Sequence, residues 1–139
     1  MSYLREGDIV IDVTRAKNAW HFDSGEHQKI CDKLHLSRID IVIELTSHIV
    51  FLEVKDPEQP RAVEHGQDAE FHQRLTNGQI IKESCSKFRD TLYFQRASSA
   101  LSKPIICVLL LVSERLGRPE VEKMTKSLSK QLPAANRKP

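Results

Sequence analysis

The chain has 139 residues, which favours one compact domain and excludes a two-domain enzyme with a separate cofactor half. Hydrophobic residues make up 40% and charged residues 29%, the balance of a folded globular domain and not of a disordered or collagen-like chain. Twenty-one Lys and Arg against 19 Asp and Glu leave a net charge of +2, too near neutral to announce a polyanionic partner, so any nucleic-acid footprint has to be local.

Asp8 to Thr14 alternates polar and β-branched residues and predicts a short strand, paired with the stretch around Trp20 to Phe22. Ser24 is placed to cap a helix from Gly25 to about Leu34, with Glu26 in the first turn where a carboxylate suits the helix dipole; an extended conformation over Lys29 to Leu36 is the alternative. Ile39 to Leu45 and Ile49 to Lys55 are rich in β-branched residues and flank Thr46, Ser47 and His48, which predicts a β-hairpin. Asp56, Pro57 and Pro60 end its second strand, and a polar stretch follows. After the break at Asn77 and Gly78, Ile81, Cys85, Phe88 and Leu92 recur at helical spacing and predict an amphipathic helix to about Ala97.

Ile105 to Val112 is apolar without alternation, as expected of a central strand covered on both faces. At eight residues it is far short of the roughly 20 that a membrane span needs, and Arg5, Glu6 and Asp8 spoil any secretory apolar region, so a cytoplasmic chain without a membrane partner is expected. Pro119 marks a helix start continued by Val121, Met124 and Leu128. Residues 1–132 are expected to form the single domain and residues 133–139 a disordered tail.

The hairpin carries the chemistry. A turn about Thr46 and Ser47 makes paired residue numbers sum to 93, so Val42 faces Phe51 and Asp40 faces Glu53. The opposite face then holds Ile39, Ile41, Ile43, Val50, Leu52 and Val54, an unbroken apolar side expected to meet the core; a one-residue slip would mix the faces. Directly opposed residues have Cβ atoms roughly 4.5 to 5.5 Å apart, which sets two carboxylates side by side, with Lys55 on the same face about 7 Å along the strand. Two opposed acids are unfavourable without a cation. Mg²⁺ or Mn²⁺ held by Asp40 and Glu53 would keep positions open for water and a phosphate oxygen, with Lys55 assisting the chemistry. The plainer reading of the same triplet is a solvated ion pair between Glu53 and Lys55.

Asp40 followed after 12 residues by Glu53 and Lys55 resembles the signature of the PD-(D/E)xK, or restriction-endonuclease-like, nucleases: an acid on one strand and E-x-K on the next. The strings IDIVIEL, FLEVKDP and KFRDTLYF are similar to those of a bacterial branch of this superfamily, and the resemblance covers roughly Glu26 to Val112. It implies a three-layer α/β/α fold with a mixed central sheet. It also implies a magnesium-dependent endonuclease whose catalytic residues are Asp40, Glu53 and Lys55 and whose metal ligands are Asp40 and Glu53. Ile39 stands where the signature's proline would. For the family's upstream acid Glu26 is the candidate, with Asp32 and Asp23 behind it.

Around this centre, Glu44 shares the face of Asp40 and is either a supporting group or a surface charge. Along the long helix Gln79, Lys82, Ser86, Arg89, Tyr93 and Arg96 form a polar stripe, read as phosphate contacts through Lys82, Arg89 and Arg96 or as a solvated face. Lys87 and Asp90 are the alternative partners for strand charges at the sheet's edge. Six histidines without HExxH or HxH spacing, and three cysteines without CxxC, argue against a zinc hydrolase and a structural zinc site. DNA in preference to RNA is the expected substrate. The competing readings are a nuclease-like module that binds nucleic acid or a protein partner without cutting, and a nuclease active only as a homodimer or within a larger complex that supplies recognition.

Overall fold

A glycine makes the first hairpin possible. Strands β1 (Tyr3–Glu6) and β2 (Ile9–Asp12) pair antiparallel with Glu6 opposite Ile9, which leaves Gly7 and Asp8 as a two-residue loop. Gly7 sits at φ +59°, the left-handed geometry that the first position of such a turn requires. The strand expected over Asp8 to Thr14 therefore pairs with residues 3–6, and not with the stretch around Trp20. The computed structural model describes residues 1–98 and 103–132, with only the backbone at residues 26, 27, 62 and 98. The tail expected over residues 133–139 lies outside the described residues.

The stretch around Trp20 forms β3 (Asn18–His21), which joins a second sheet. It pairs antiparallel with β4 (Ile41–Glu44), placing Trp20 opposite Val42 and His21 opposite Ile41. Strand β5 (Ile49–Lys55) pairs with β4 in the register that the apolar pattern predicts, Val42 opposite Phe51 and Glu44 opposite Ile49. The turn is closed by the Leu45 N–H, which donates to the His48 carbonyl at 2.8 Å. Strand β6 (Ile105–Leu111) runs parallel to β5 with Glu53 opposite Leu109. The sheet order β3-β4-β5-β6 makes β6 an edge strand among the described residues, a correction to its expected central place. An apolar run without alternation fits an edge strand that is partly covered on both faces as well as a central one, and here every residue of β6 keeps some exposure.

A parallel neighbour requires a crossover, and three helices supply it between β5 and β6: α2 (Pro60–Glu64), α3 (Gln67–Thr76) and α4 (Gln79–Ser98). The first two occupy the stretch read as merely polar. Their signal is modest: Asp68 and Glu70 in the first turn of α3, Arg74 in its last, and Phe71 with Leu75 one turn apart. Helix α4 matches its expected span, and Ile81, Cys85 and Phe88 of its apolar stripe are buried. Helix α1 (Gly25–Lys33) follows Ser24 as expected, although the serine hydroxyl donates back to the His21 carbonyl at 3.4 Å and makes no cap bond. Helix α5 (Arg118–Gln131) starts at Gly117, whose N–H donates to the Glu120 carboxylate at 3.0 Å.

The main apolar cluster joins Val42, Ile49 and Phe51 of the hairpin to Cys31, Phe88 and Phe94 of the helices, with Phe22 edge-on to Phe94. Strand alternation puts Val42, Phe51, Asp40 and Glu53 on one face. Helix α4 thus packs over the face that carries the acids. The face expected to meet the core does bury Ile39, Ile41 and Leu52, while Ile43, Val50 and Val54 stay partly exposed.

Candidate active site

Asp40 is positioned from three directions. Its carbonyl accepts the Phe22 N–H at 2.8 Å, tying it to the end of β3. Helix α4 clamps the approach: Asp90 accepts the Ser37 N–H at 2.9 Å and the Ser37 hydroxyl at 2.8 Å, and the Ile39 N–H donates to the Thr91 hydroxyl at 3.2 Å. The Asp40 carboxylate then accepts the Val54 N–H at 2.7 Å, taking the place of a ladder carbonyl where β4 has not yet begun. Its side chain is fixed by backbone groups on β5, one residue from Glu53.

Glu53 is fully buried. Its Oε2 accepts the Lys55 ammonium at 3.3 Å and also the Lys87 ammonium from α4. Its Oε1 has no hydrogen-bond partner among the described residues. A buried acceptor without a partner costs about 1–3 kcal/mol, and more when charged, which favours a proton or a cation at this carboxylate. Burial first, and then the neighbouring Asp40 as a proton-sharing and like-charged group, push the Glu53 carboxyl up to about 7, against the pull of Lys87 and Lys55. Burial would lower Lys87, but the bond to Glu53 and the charges of Glu53 and Asp40 hold it above its ordinary value. The two shifts describe one pair: the ammonium stays charged and the carboxyl is poised.

The hairpin thus brings Asp40, Glu53 and Lys55 together. Lys87 of α4, weighed at sequence level as a partner for strand charges, completes the group; Asp90, its companion in that reading, binds the Ser37 segment. Glu44 is elsewhere. It lies four residues from Asp40, about 13 Å along the strand, and pairs with Lys103 at 2.7 Å. The same ammonium donates to the Leu45 carbonyl at 3.1 Å, so Glu44 serves the hairpin turn and not the acid pair. The upstream-acid candidates separate. Glu26 lies in α1 with its side chain outside the described residues, and Asp32 pairs with Arg38.

Asp23 does come to the site. Burial, then the charge of Asp40, raises its carboxyl above its ordinary value. Glu6, at the end of β1, is raised by burial, then by Asp40 and Asp23, and pairs with His21 Nδ1 at 3.4 Å. Neither Glu6 nor His21 was singled out by sequence. The Gly7-Asp8 dipeptide, a hairpin-loop signal, was the available clue that the N-terminal residues fold back.

Lys82, Arg89 and Arg96 lie on the exposed side of α4, opposite its buried stripe, and Ser86 between them is half-buried. No family model matches the chain, and no curated protein or solved structure is significantly similar to it.

Proposed function

We propose that this chain is a metal-dependent nuclease hydrolysing phosphodiester bonds, DNA in preference to RNA, on a three-layer restriction-endonuclease-like core. One observation carries the reading: Glu53 is wholly buried with one oxygen unpartnered, beside a second carboxylate whose orientation is fixed by the Val54 N–H. A fully buried carboxylate beside a second, partly buried one is costly to maintain unless something offsets it, and a hard divalent cation is the ligand suited to two carboxylates. Mg²⁺ or Mn²⁺ fits this donor set, with Asp40 and Glu53 as the holding residues. A cation bound there supplies Lewis-acid polarisation of a phosphate oxygen and a bound water of lowered pKa.

The chain's own residues do the rest. Asp40, held by the backbone, gives the site a fixed anionic wall. Lys55, about a quarter exposed, presents an ammonium that offsets negative charge developing on phosphate oxygens. Lys87 pulls against the burial and the Asp40 charge that raise Glu53, and so favours its ionised form. The exposed Lys82, Arg89 and Arg96 offer sequence-independent phosphate contacts.

A second reading, a nuclease-like module that binds without cutting, is favoured by a specific contact: both Lys55 and Lys87 already neutralise Glu53 Oε2. Incubating the chain with single- and double-stranded DNA and with RNA, in Mg²⁺, Mn²⁺ or EDTA, decides between them. Metal-dependent scission abolished by EDTA is the expected result. Metal-induced stabilisation without scission would favour the binding module or a nuclease needing a partner, and scission that persists in EDTA would overturn the metal mechanism.

A further inference from the structure

We propose that Glu6, His21 and Asp23 form a separate cation position beside the Asp40–Glu53 pair, one that prefers Mn²⁺ and its transition-metal neighbours to Mg²⁺. The three side chains each offer a ligand atom, and these atoms all lie within 4.8 Å of one another. Donors about 2.1 Å from a common ion stand roughly 3 to 4 Å apart, so rotation of half-exposed side chains is enough to close the set. The donors come from three places in the fold: the end of β1, the end of β3, and the turn before α1. Pairing of β3 with β4 fixes His21 opposite Ile41, and the Gly7 turn brings β1 back so that Glu6 reaches the imidazole.

A simple ion-pair network is a poor account of this group. Asp40 acts as a like charge on Glu6, Asp23 and Glu53, and Asp23 acts in the same way on Glu6. The positive groups facing them are His21, Arg38 and Lys87, and of these the Arg38 guanidinium is committed to Asp32 and the Lys87 ammonium to Glu53. Asp40 links the two groups of acids, since its charge acts on Glu6 and Asp23 and also on Glu53, whose buried Oε1 has no hydrogen-bond partner among the described residues. An acceptor left open at that point is what a neighbouring cation would satisfy. One imidazole nitrogen with two carboxylates is a donor set for borderline metals, whereas the all-carboxylate pair suits Mg²⁺. The inference rests on the proposed function only through Asp40; the His21 position stands whether or not the chain cuts DNA.

The test counts ions. Metal-free full-length chain is titrated with Mn²⁺, bound and free ion being separated by electron paramagnetic resonance, for wild type, His21→Ala, Glu6→Gln and Glu53→Gln. Wild type is expected to bind two Mn²⁺. His21→Ala and Glu6→Gln, both at half-exposed positions, should each weaken one site by about tenfold or more while leaving the other unchanged. Nuclear magnetic resonance adds a local readout: substoichiometric Mn²⁺ should broaden the His21 ring signals before those of His48 at the far turn. If His21→Ala and Glu6→Gln bind Mn²⁺ with wild-type number and affinity, the His21 position is overturned and the Asp40–Glu53 reading is untouched. If Glu53→Gln alone binds as wild type, the acid pair of the proposed function fails and the His21 position remains.

Discussion

Two neighbouring strands of the same sheet invert the usual distribution of side chains. On β5, Glu53 has no exposure at all; on β6, beside it, Ile106 is 44% exposed. Position decides this, not residue type. Strand β5 is flanked by β4 and β6 and lies under α4, so whatever side chain stands at position 53 is buried, whereas β6 is an edge. A carboxylate is tolerated at the buried position because Lys55 and Lys87 meet one of its oxygens, and the other oxygen remains a liability. A buried carboxylate with one open oxygen is a cost in stability, whereas the apolar surface of β6 is merely unfinished.

The largest expected effects fall on the buried side and concern rate. Asp40→Asn keeps an oxygen to accept the Val54 N–H but loses a metal-holding charge, and metal-dependent cleavage should fall at least roughly a thousandfold. Lys55→Ala should lower turnover about 100-fold or more while leaving the Mg²⁺-induced rise in melting temperature largely intact, since an ammonium assists without ligating. A Lys55 variant that cuts at wild-type rate would remove the lysine from the mechanism. Next comes stability: Lys87→Met strips a cation from a buried carboxylate and should cost about 3 kcal/mol in urea unfolding, the low end for a broken buried pair because Lys55 remains. A loss under ~1 kcal/mol would mean that Glu53 is neutral in the folded chain.

The next effect is pH-dependent. Glu53 is raised in the folded chain, to about 7, so the stability tied to its proton is fully present below its ordinary value of 4.5 and is lost as pH rises through 7. Metal binding runs the other way, because a proton on Glu53 competes with the cation. Each pH unit below 7 should weaken apparent Mg²⁺ affinity by up to about tenfold, worth roughly 1.4 kcal/mol. Melting curves at pH 6 and pH 8, with and without Mg²⁺, should show the larger metal-induced shift at pH 8. Equal shifts would place the ion away from Glu53.

Much of the buried side was legible in sequence, because a period-2 pattern fixes register. A one-residue slip would mix the faces, whereas the pairing in which Val42 meets Phe51 leaves Ile41, Ile43, Val50 and Leu52 on one face, and the strands take that pairing. Asp40 itself stands just outside the ladder and reaches β5 through its side chain, a detail no periodicity encodes. The partner of Glu53 was harder to read: Lys87 follows from which face α4 covers, and that is a tertiary fact. The pattern marked the wholly apolar face as the one to meet the core, and the main cluster with the helices also takes in Val42 and Phe51 from the face of the acids. The edge position of β6 was equally hidden, since a run of apolar residues names no neighbour. His21 is placed by the pairing of β3 with β4, and Glu6 reaches it through a hairpin whose only local signal is Gly7-Asp8.

Helix α4 repeats the inversion on a smaller scale, with Lys87 turned inward to Glu53 and Lys82, Arg89 and Arg96 in solvent. If the exposed three contact phosphates, replacing each by Gln should weaken DNA binding for all sequences alike. Each loss should also reduce the slope of log affinity against log salt by about one. Isotherms at several salt concentrations measure this, and an unchanged slope would leave the stripe a solvated face. Lys87→Gln is the contrasting variant: it should cost stability first and leave the salt slope nearly unchanged.

The smallest expected effect lies at the edge strand and completes the contrast with Glu53. Ile106 is the most exposed residue of β6, and its side chain shares the face of Val50, its partner across the parallel pair. A lysine there can lay its methylenes along the remaining apolar surface and keep its ammonium in water, as charged residues on natural edge strands do. Ile106→Lys should therefore change unfolding free energy by less than about 0.5 kcal/mol and leave metal binding unaltered. A loss of several kcal/mol would show that β6 is covered in solution by something that makes it an interior strand after all. Sedimentation of wild type and variant at matched concentrations would then show whether that cover is a second copy of the chain, because a charge at a buried edge would also dissociate the dimer.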